Sequence, residues 1–510
     1  MMFSRVSTAA ILSAFSLAAS PALADLSVDD AWAVWQAQAR ALGLSVTALE
    51  TREGEALQLG KITFAAGLPM GLGSFALHMA GPRFEPLGDG TVRVVMPERS
   101  EIRLNATITG EAPITARFSY EMDGSRVIMR GDTDNVETLW TGTGARMTLT
   151  EMQPFADMGE ELALEFSLSD YRFTNLTTRD GDLLSIAQNG AYDAFSYSLS
   201  MRDDETASGA TLSETGSGTG WTFDQSLTLP AAGSSLLELH NAFRAGLRLV
   251  GQSRLERMES HQTLMLEGEL IGSEDTVTEA YVTDLRLDEG GIDLTASTGR
   301  FDAAFFAVGL PVPLAIEGGA VTAGLEMPLL KADNPQGARL TMDISDLVLD
   351  DAVWALFDAQ GQLPRDPLQV AFDSTAELQV NDELLDIVAL MARDGFAGLI
   401  DPVSLRLNRF RLSGAGAEMR ADGHFTFDRE DTQTYPGIPR PDGIVGITLT
   451  GANGLIDRLV GMGLVGEDEA MGARMMMGMF MRPAEGEDVL SSEIQMTPEG
   501  HVLANGQRLK

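Results

Sequence analysis

A two-residue rhythm of apolar and polar side chains, broken at glycine-rich reversals, runs through most of this chain and restricts it to extended sheet. Ile114, Ala116, Phe118, Tyr120 and Met122 alternate with Thr115, Arg117, Ser119 and Glu121. Successive strand residues point to opposite faces, so this pattern gives one apolar face and one wet face. Asp123-Gly124 follows, then Val127 and Met129, and Asp-Gly between alternating runs predicts a hairpin.

The same signature recurs at Val92–Met96, Ile102–Ile108, Leu162–Leu168, Phe195–Met201, Leu340–Ile344, Leu368–Phe372 and Met419–Phe427. Leu285 and Leu287 lead through Asp288-Glu289-Gly290-Gly291 into Ile292 and Leu294. One-sided alternation belongs to antiparallel sheets, whereas doubly wound parallel sheets carry strands apolar on both faces. The expected fold is mainly β with accessory helices: a long, antiparallel, strongly curved sheet, forming a groove or super-roll packed against a few helices.

Helical spacing appears in a few windows. Ser27 is a fitting N-cap for a helix to about Leu42, with Asp29 and Asp30 in the first turn, Trp32 and Trp35 on one face, and Gly43 as stop. Further windows cover 234–250, 351–357, 383–393 and 454–482, and these helices are expected to cover the sheet's apolar face. The stretches 203–220 and 429–443 read as flexible. The first separates two expected halves, an N-terminal β-rich half at 25–232 and a C-terminal β-rich half with covering helices at 233–510. The apolar tract 307–330 is interrupted by Pro311, Pro313 and Glu317 and reads as two short strands around a turn, not a membrane span.

The first 24 residues have the three parts of a secretory signal: Arg5 near the start, an apolar run from Val6 to Ser20, and Ala22-x-Ala24 before Asp25. Cleavage after Ala24 and a periplasmic destination are expected, with no transmembrane segment left afterwards. Removal takes one arginine and no acid, so the formal charge of −38 becomes −39. Such acidity repels phosphate backbones and excludes nucleic acid as a partner. With no cysteine, the chain has neither disulfides nor thiol chemistry.

Catalytic motifs are missing. His78, His240, His261, His424 and His501 are too scattered for a helical metal pair, and each reads as a surface or satisfied residue. Gly251-Gln252-Ser253-Arg254-Leu255 lacks the second glycine of a nucleophile elbow. Gly60-Lys61-Ile62 lacks the hydroxyl of a phosphate loop, and Gly216-Ser217-Gly218-Thr219-Gly220 reads as linker. Asp132-Thr133-Asp134-Asn135 reads as a polar turn, since a calcium loop needs a glycine and a bidentate glutamate that are missing here. No enzyme activity, cofactor or metal is expected. The one unusual cluster is Met471, Met475, Met476, Met477, Met479 and Met481 around Phe480. Core packing is the first reading. The second is that Met471, Met475, Met476, Met479 and Phe480 line a hydrophobic ligand site, since methionine adapts to varied apolar partners.

Two phrases carry a resemblance. Leu340 through Asp358 with Leu363-Pro364-Arg365-Asp366-Pro367, and the ending Ile494 through Glu499-Gly500 and Asn505-Gly506, resemble an exported bacterial family known as domain of unknown function 2125. More distantly, the glycine-closed strands and the terminal hairpin are similar to AsmA-like and YdgA-like periplasmic proteins. The AsmA-like likeness implies a long grooved sheet associated with lipid traffic, although this chain departs from that group in lacking a retained membrane anchor. The leading functional expectation is a periplasmic binding or scaffold protein for lipid or another hydrophobic partner of the cell envelope. Alternatives are an envelope assembly protein without a small ligand and a hydrolase with dispersed carboxylates.

Overall fold

The computed structural model describes residues 25–510 except 69–70, 155–159, 204–208, 234–238, 392, 394, 396–397 and 436, so the expected signal segment lies outside the described residues. A first group of short strands comprises β1 (Ser45–Glu53), β2 (Ala56–Leu68), β3 (Gly73–Ala80), β4 (Arg83–Pro86), β5 (Val92–Val95), β6 (Arg99–Ile108), β7 (Ile114–Asp123) and β8 (Arg126–Gly131). Six long strands follow: β9 (Asn135–Gln153), β10 (Glu160–Asp180), β11 (Leu183–Asp203), β12 (Thr211–Pro230), β13 (Arg248–Leu266) and β14 (Glu269–Asp288). Next come β15 (Gly291–Thr298), β16 (Phe301–Ala307), β17 (Leu314–Gly318), β18 (Ala320–Met327), β19 (Gln336–Leu349) and β20 (Leu368–Val380). The chain closes with β21 (Ile400–Gly414), β22 (Ala417–Asp428), β23 (Arg440–Thr450), β24 (Arg482–Pro483), β25 (Val489–Met496), β26 (Val502–Ala504) and β27 (Gln507–Arg508). The helices are α1 (Val28–Ala41), α2 (Leu239–Arg244), α3 (Asp351–Phe357), α4 (Ile387–Met391), α5 (Ala452–Gly461) and α6 (Glu467–Phe480).

All 27 strands of the described residues belong to one sheet, and every pairing in it is antiparallel. The sheet runs unbroken across residue 232, because β12 pairs with β13 from Thr211↔Met265 to Thr228↔Arg248. The expected hairpins at 288–291 and at the C-terminus are present. Asp288 faces Gly291, and Asn505 and Gly506 both have positive φ (49° and 81°) between β26 and β27. The tract 307–330 holds the short strands β17 and β18, as its prolines and glycines suggest.

A transverse crease divides the sheet into two tiers. Following the registers from strand to strand, Gly124, Thr143, Asp170, Asp193, Gly220, Glu256, Ala280 and Gly299 stand opposite one another. Along this row every second strand carries a positive φ: Gly124 60°, Asp170 45°, Gly220 66° and Ala280 52°. Regular strands put residues two apart on one side. Across the crease the inward residues are instead three apart: Leu168 and Tyr171 on β10, Phe195 and Tyr192 on β11. The rings of Phe195, above the crease, and Tyr192, below it, both touch Trp221 at 5.4 and 5.7 Å, so the two tiers turn their apolar sides into one concavity.

The crease overturns one expectation. Asp123-Gly124 makes no hairpin, because β7 and β8 do not pair with each other. Both pair with β9, β7 along its upper part (Asp123↔Gly144) and β8 along its lower part (Arg126↔Thr141). A tight two-residue reversal of this kind needs positive φ at both central residues. Gly124 has it and Asp123 does not, so the chain kinks and runs on.

Helix α1 closes one end of the trough. Ser27 Oγ accepts from Asp30 N (3.1 Å) and Asp30 accepts from Ser27 N (3.2 Å), a reciprocal cap that satisfies two orphan donors. Trp32 packs on Phe84 (6.3 Å) and Trp35 meets the same ring edge-on (5.5 Å) over Leu57, Leu59, Val92, Val94, Val127 and Met129. The far end of the helix places Ala41 against Leu184 and Leu229. Its contacts run from Phe84 on β4 to Leu229 on β12, and none of the buried residues packed on it lies beyond β12.

The other helices cover less than expected. The predicted helix 234–250 is reduced to α2 among the described residues, because Gly246 (φ 101°) ends it and Arg248 onward pairs with both β12 and β14. The window 383–393 is reduced to the five residues of α4. α5 buries no residue and α6 buries only Ala470. α3, α5 and α6 join strand ends that align with the crease, since Leu368 faces Leu347 and Thr450 faces Val489. The upper tier of strands is absent there.

Candidate functional site

The sheet register writes a continuous apolar floor. In the lower tier the row Trp140, Phe173, Gly190, Phe223, Ser253, Thr283, Ala296, Ala323, Met342, Phe372 and Phe410 crosses eleven consecutively paired strands. Next to it run Gly251, Leu285, Leu294, Leu325 and Leu340. Above the crease, Met147, Phe166 and Tyr197 face the same concavity. Beyond the reach of α1 the floor is uncovered: Leu340 is 49 % and Leu412 46 % exposed, and Met201, Leu264, Met342 and Leu405 are exposed too.

Glycines set opposite rings make this floor flat. A Cβ on Gly218 would lie 2.3 Å from the Phe195 ring, one on Gly216 2.3 Å from the Tyr197 ring, and one on Gly190 2.8 Å from the Phe223 ring. Each ring therefore lies over its neighbour's backbone, a sheet arrangement in which an aromatic covers the gap a glycine leaves. This corrects the reading of 203–220 as flexible linker for its part 211–220, while 204–208 lie outside the described residues. Residues 211–220 belong to β12, and Gly216 and Gly218 are smooth because Tyr197 and Phe195 occupy the space above them. A low-complexity glycine run looks like linker in sequence because the rings that fill it come from another strand.

A cavity of about 380 Å³ lies at the crease, walled by Phe166 and Leu168 above and by Tyr192, Trp221, Phe223, Leu249 and Leu285 below. Its few polar groups are placed in the wall. Gln225 Nε2 donates to Gln188 Oε1 (2.5 Å), while the indole N–H of Trp221 is buried with no acceptor among the described residues. Burial pushes the Tyr192 phenol above its ordinary range. Tyr197, half-buried and donating to Glu214 (2.6 Å), is pushed up to about 12 by burial first and then by the Glu214 carboxylate. Of these two phenols only Tyr192 lines the cavity, and its neutral O–H offers a donor without charge.

The methionine cluster is not core. Met471, Met475, Met476 and Met479 stand on the outside of α6, each about 60 % exposed or more, and Phe480 is half-buried. The helix carries acids throughout its first turn and packs mainly on α5, so its apolar side has no sheet to bury against. These five residues share one helix but do not wall the cavity at the crease, which β10–β14 build.

Of the histidines, His261 Nδ1 lies 2.6 Å from Asp275 on the exposed outer face, and His78 Nδ1 lies 2.8 Å from Thr63 Oγ1. His240 is neither surface nor satisfied, for it is buried in α2 with Nδ1 unpartnered among the described residues. Asp132 forms the expected polar turn, accepting from the N–H of Asp134 and Asn135 (both 2.9 Å). No group of three metal-binding side chains occurs among the described residues, and no helix there is long and apolar enough to cross a membrane.

Sequence reasoning found the alternating faces but not the cavity, because its walls meet only through register across five strands. The spacing of three in Leu168–Asp170–Tyr171 was the available signal. No known protein family, characterised protein or solved structure matches the chain.

Proposed function

We propose that this protein is an envelope carrier or holder of an elongated amphiphile, of the acyl-lipid class, seated along the apolar trough. The observation that carries the reading is the largely apolar floor that continues beyond α1 to β21, where Leu340, Met342, Leu405 and Leu412 are exposed. Seven strands of this kind extend about 30 Å, against about 15 Å for one leaflet of bilayer hydrocarbon, so a whole acyl chain fits with length to spare. Contiguous exposed apolar surface on this scale marks an interaction site. The indole N–H of Trp221, without an acceptor among the described residues, suits an ester carbonyl near the crease. The secretory leader expected from the first 24 residues and the resemblance read from the sequence would fit such a role.

The test is to purify the mature protein, extract it for mass spectrometry, and measure uptake of a fluorescent fatty acid by energy transfer from tryptophan. Co-purifying lipid and saturable uptake are expected, with uptake lost in Phe223→Asp and Leu285→Asp. An empty extract together with no uptake would sink the proposal. A second reading, docking of another envelope protein, draws on the exposed four-residue spacing of Met471, Met475 and Met479 on α6. Site-specific crosslinking from Met475 in intact cells tests it, and a protein that never crosslinks eliminates it.

A further inference from the structure

The outer face of the N-terminal strands carries chemistry opposite to that of the trough. The chain has 74 acidic and 36 basic residues, yet three basic side chains converge here. Register sets Thr63 of β2 opposite His78 of β3, and His78 opposite Arg103 of β6, while Lys61 lies two residues from Thr63 on the same face. Together with Gln58 and Glu101 they wall a hollow of about 500 Å³ whose floor is the crease. There Gly60 and Gly81 bring two backbones together, Gly81 N donating to Gly60 O at 2.7 Å.

The hydrogen-bond accounting at this hollow does not close. Lys61 makes no ion pair among the described residues. Arg103 gives one arm to Glu101 (3.0 Å), but its Nε is buried without an acceptor among the described residues. Thr63 Oγ1 holds His78 Nδ1 and fixes the ring, leaving Nε2 without a partner among the described residues. The one acid lining the hollow is Glu101, and Arg117, which faces Arg103 in register, is paired with Glu151 (3.0 Å). Donors and positive charge exceed acceptors in a concave site, which is how proteins take up oxyanions.

We propose that Lys61, His78 and Arg103 form a binding site for a phosphate group, whether free inorganic phosphate or the phosphate of a lipid headgroup. Lys61 and Arg103 supply the charge and His78 Nε2 adds a donor when protonated. Burial, with Lys61 and Arg103 beside it, holds His78 below the ordinary imidazole range, and a bound dianion offsets those two charges. Binding and protonation of His78 therefore reinforce each other. The site is on the opposite face from the trough and stands or falls independently of it.

The test uses the full mature chain with isotope-labelled histidine, the His78 imidazole signal being assigned through His78→Gln. Inorganic phosphate is titrated at constant ionic strength against chloride. We expect a saturable shift of His78 but not of His261, a raised His78 pKa, and tighter binding at about pH 6 than at about pH 8. Lys61→Met, which keeps the apolar stem, weakens binding about tenfold, the loss of one charge-assisted contact. Vesicles of phosphatidylglycerol, compared with free phosphate, separate the sources: a His78 response to vesicles alone assigns a lipid headgroup, and a response to phosphate assigns the free ion. If His78 of the wild-type protein responds to neither, the proposal is overturned. It is overturned equally if Lys61→Met, folded by circular dichroism, binds as tightly as wild type.

Discussion

At the residue scale, the trough depends on pairs of one large and one absent side chain. Gly218 is buried and its missing Cβ is the space that Phe195 fills, with Phe195 itself buried. Gly218→Val forces that ring off its rotamer and is expected to cost about 1–3 kcal/mol in chemical denaturation. Gly337 on β19 has ordinary φ and open space around its Cβ position, so Gly337→Ala should be neutral or stabilise by about 0.4–1 kcal/mol. Equal costs at the two sites would refute the ring-over-glycine account. Tyr197 supplies a pH prediction. Its folded pKa of about 12 lies above the 10.0 of an exposed phenol, so the native state keeps a proton that the unfolded chain has lost. Stability from this group is full below pH 10 and is lost as pH rises from 10 toward about 12. Ultraviolet titration of the 6 tyrosines should show a last step near pH 12, removed by Tyr197→Phe and lowered by Glu214→Gln.

At the scale of elements, helices that looked alike in sequence have different roles. α1 was fully legible: cap, acidic first turn, paired tryptophans and glycine stop are local signals, and its apolar stripe meets a sheet. Trp32→Ala should cost about 3–5 kcal/mol, since the indole is buried and also donates to Glu50 (2.8 Å). α6 was legible as a helix but not as a surface. Its methionines are apolar enough for a core, and only the absence of a facing sheet leaves them in solvent. Met475→Lys is therefore expected to change the denaturation midpoint by no more than about 0.5 kcal/mol, as at other surface sites. A loss several times larger would mean that α6 is covered. The pair β7 and β8 shows the limit of turn signals. Asp123-Gly124 fits a reversal and a kink equally well until the partner strand β9 is in place.

At the scale of the whole molecule, one layer of sheet replaces the usual two. The chain exposes 28,938 Å², against about 18,000 Å² for a compact protein of its mass. Each strand rests mainly on its two neighbours, so cooperativity is transmitted along the sheet as in repeat proteins. Native-state hydrogen exchange should show strongest protection under α1, around Val92, Val127 and Met129, and earlier opening in β20–β25, where no large buried cluster lies. Uniform protection throughout would contradict this division.

The sequence by itself determined the secondary structure class, the antiparallel pairing and which side of each strand is apolar, because alternation and glycine placement act within a few residues. Tertiary structure alone decided that these apolar sides form an open trough. The crease exists only when Asp170, Gly220 and Ala280 align across strands as much as 110 residues apart, from Asp170 to Ala280. Whether a face is covered depends on how far a 14-residue helix reaches across that sheet, and neither quantity is written in any local run of residues.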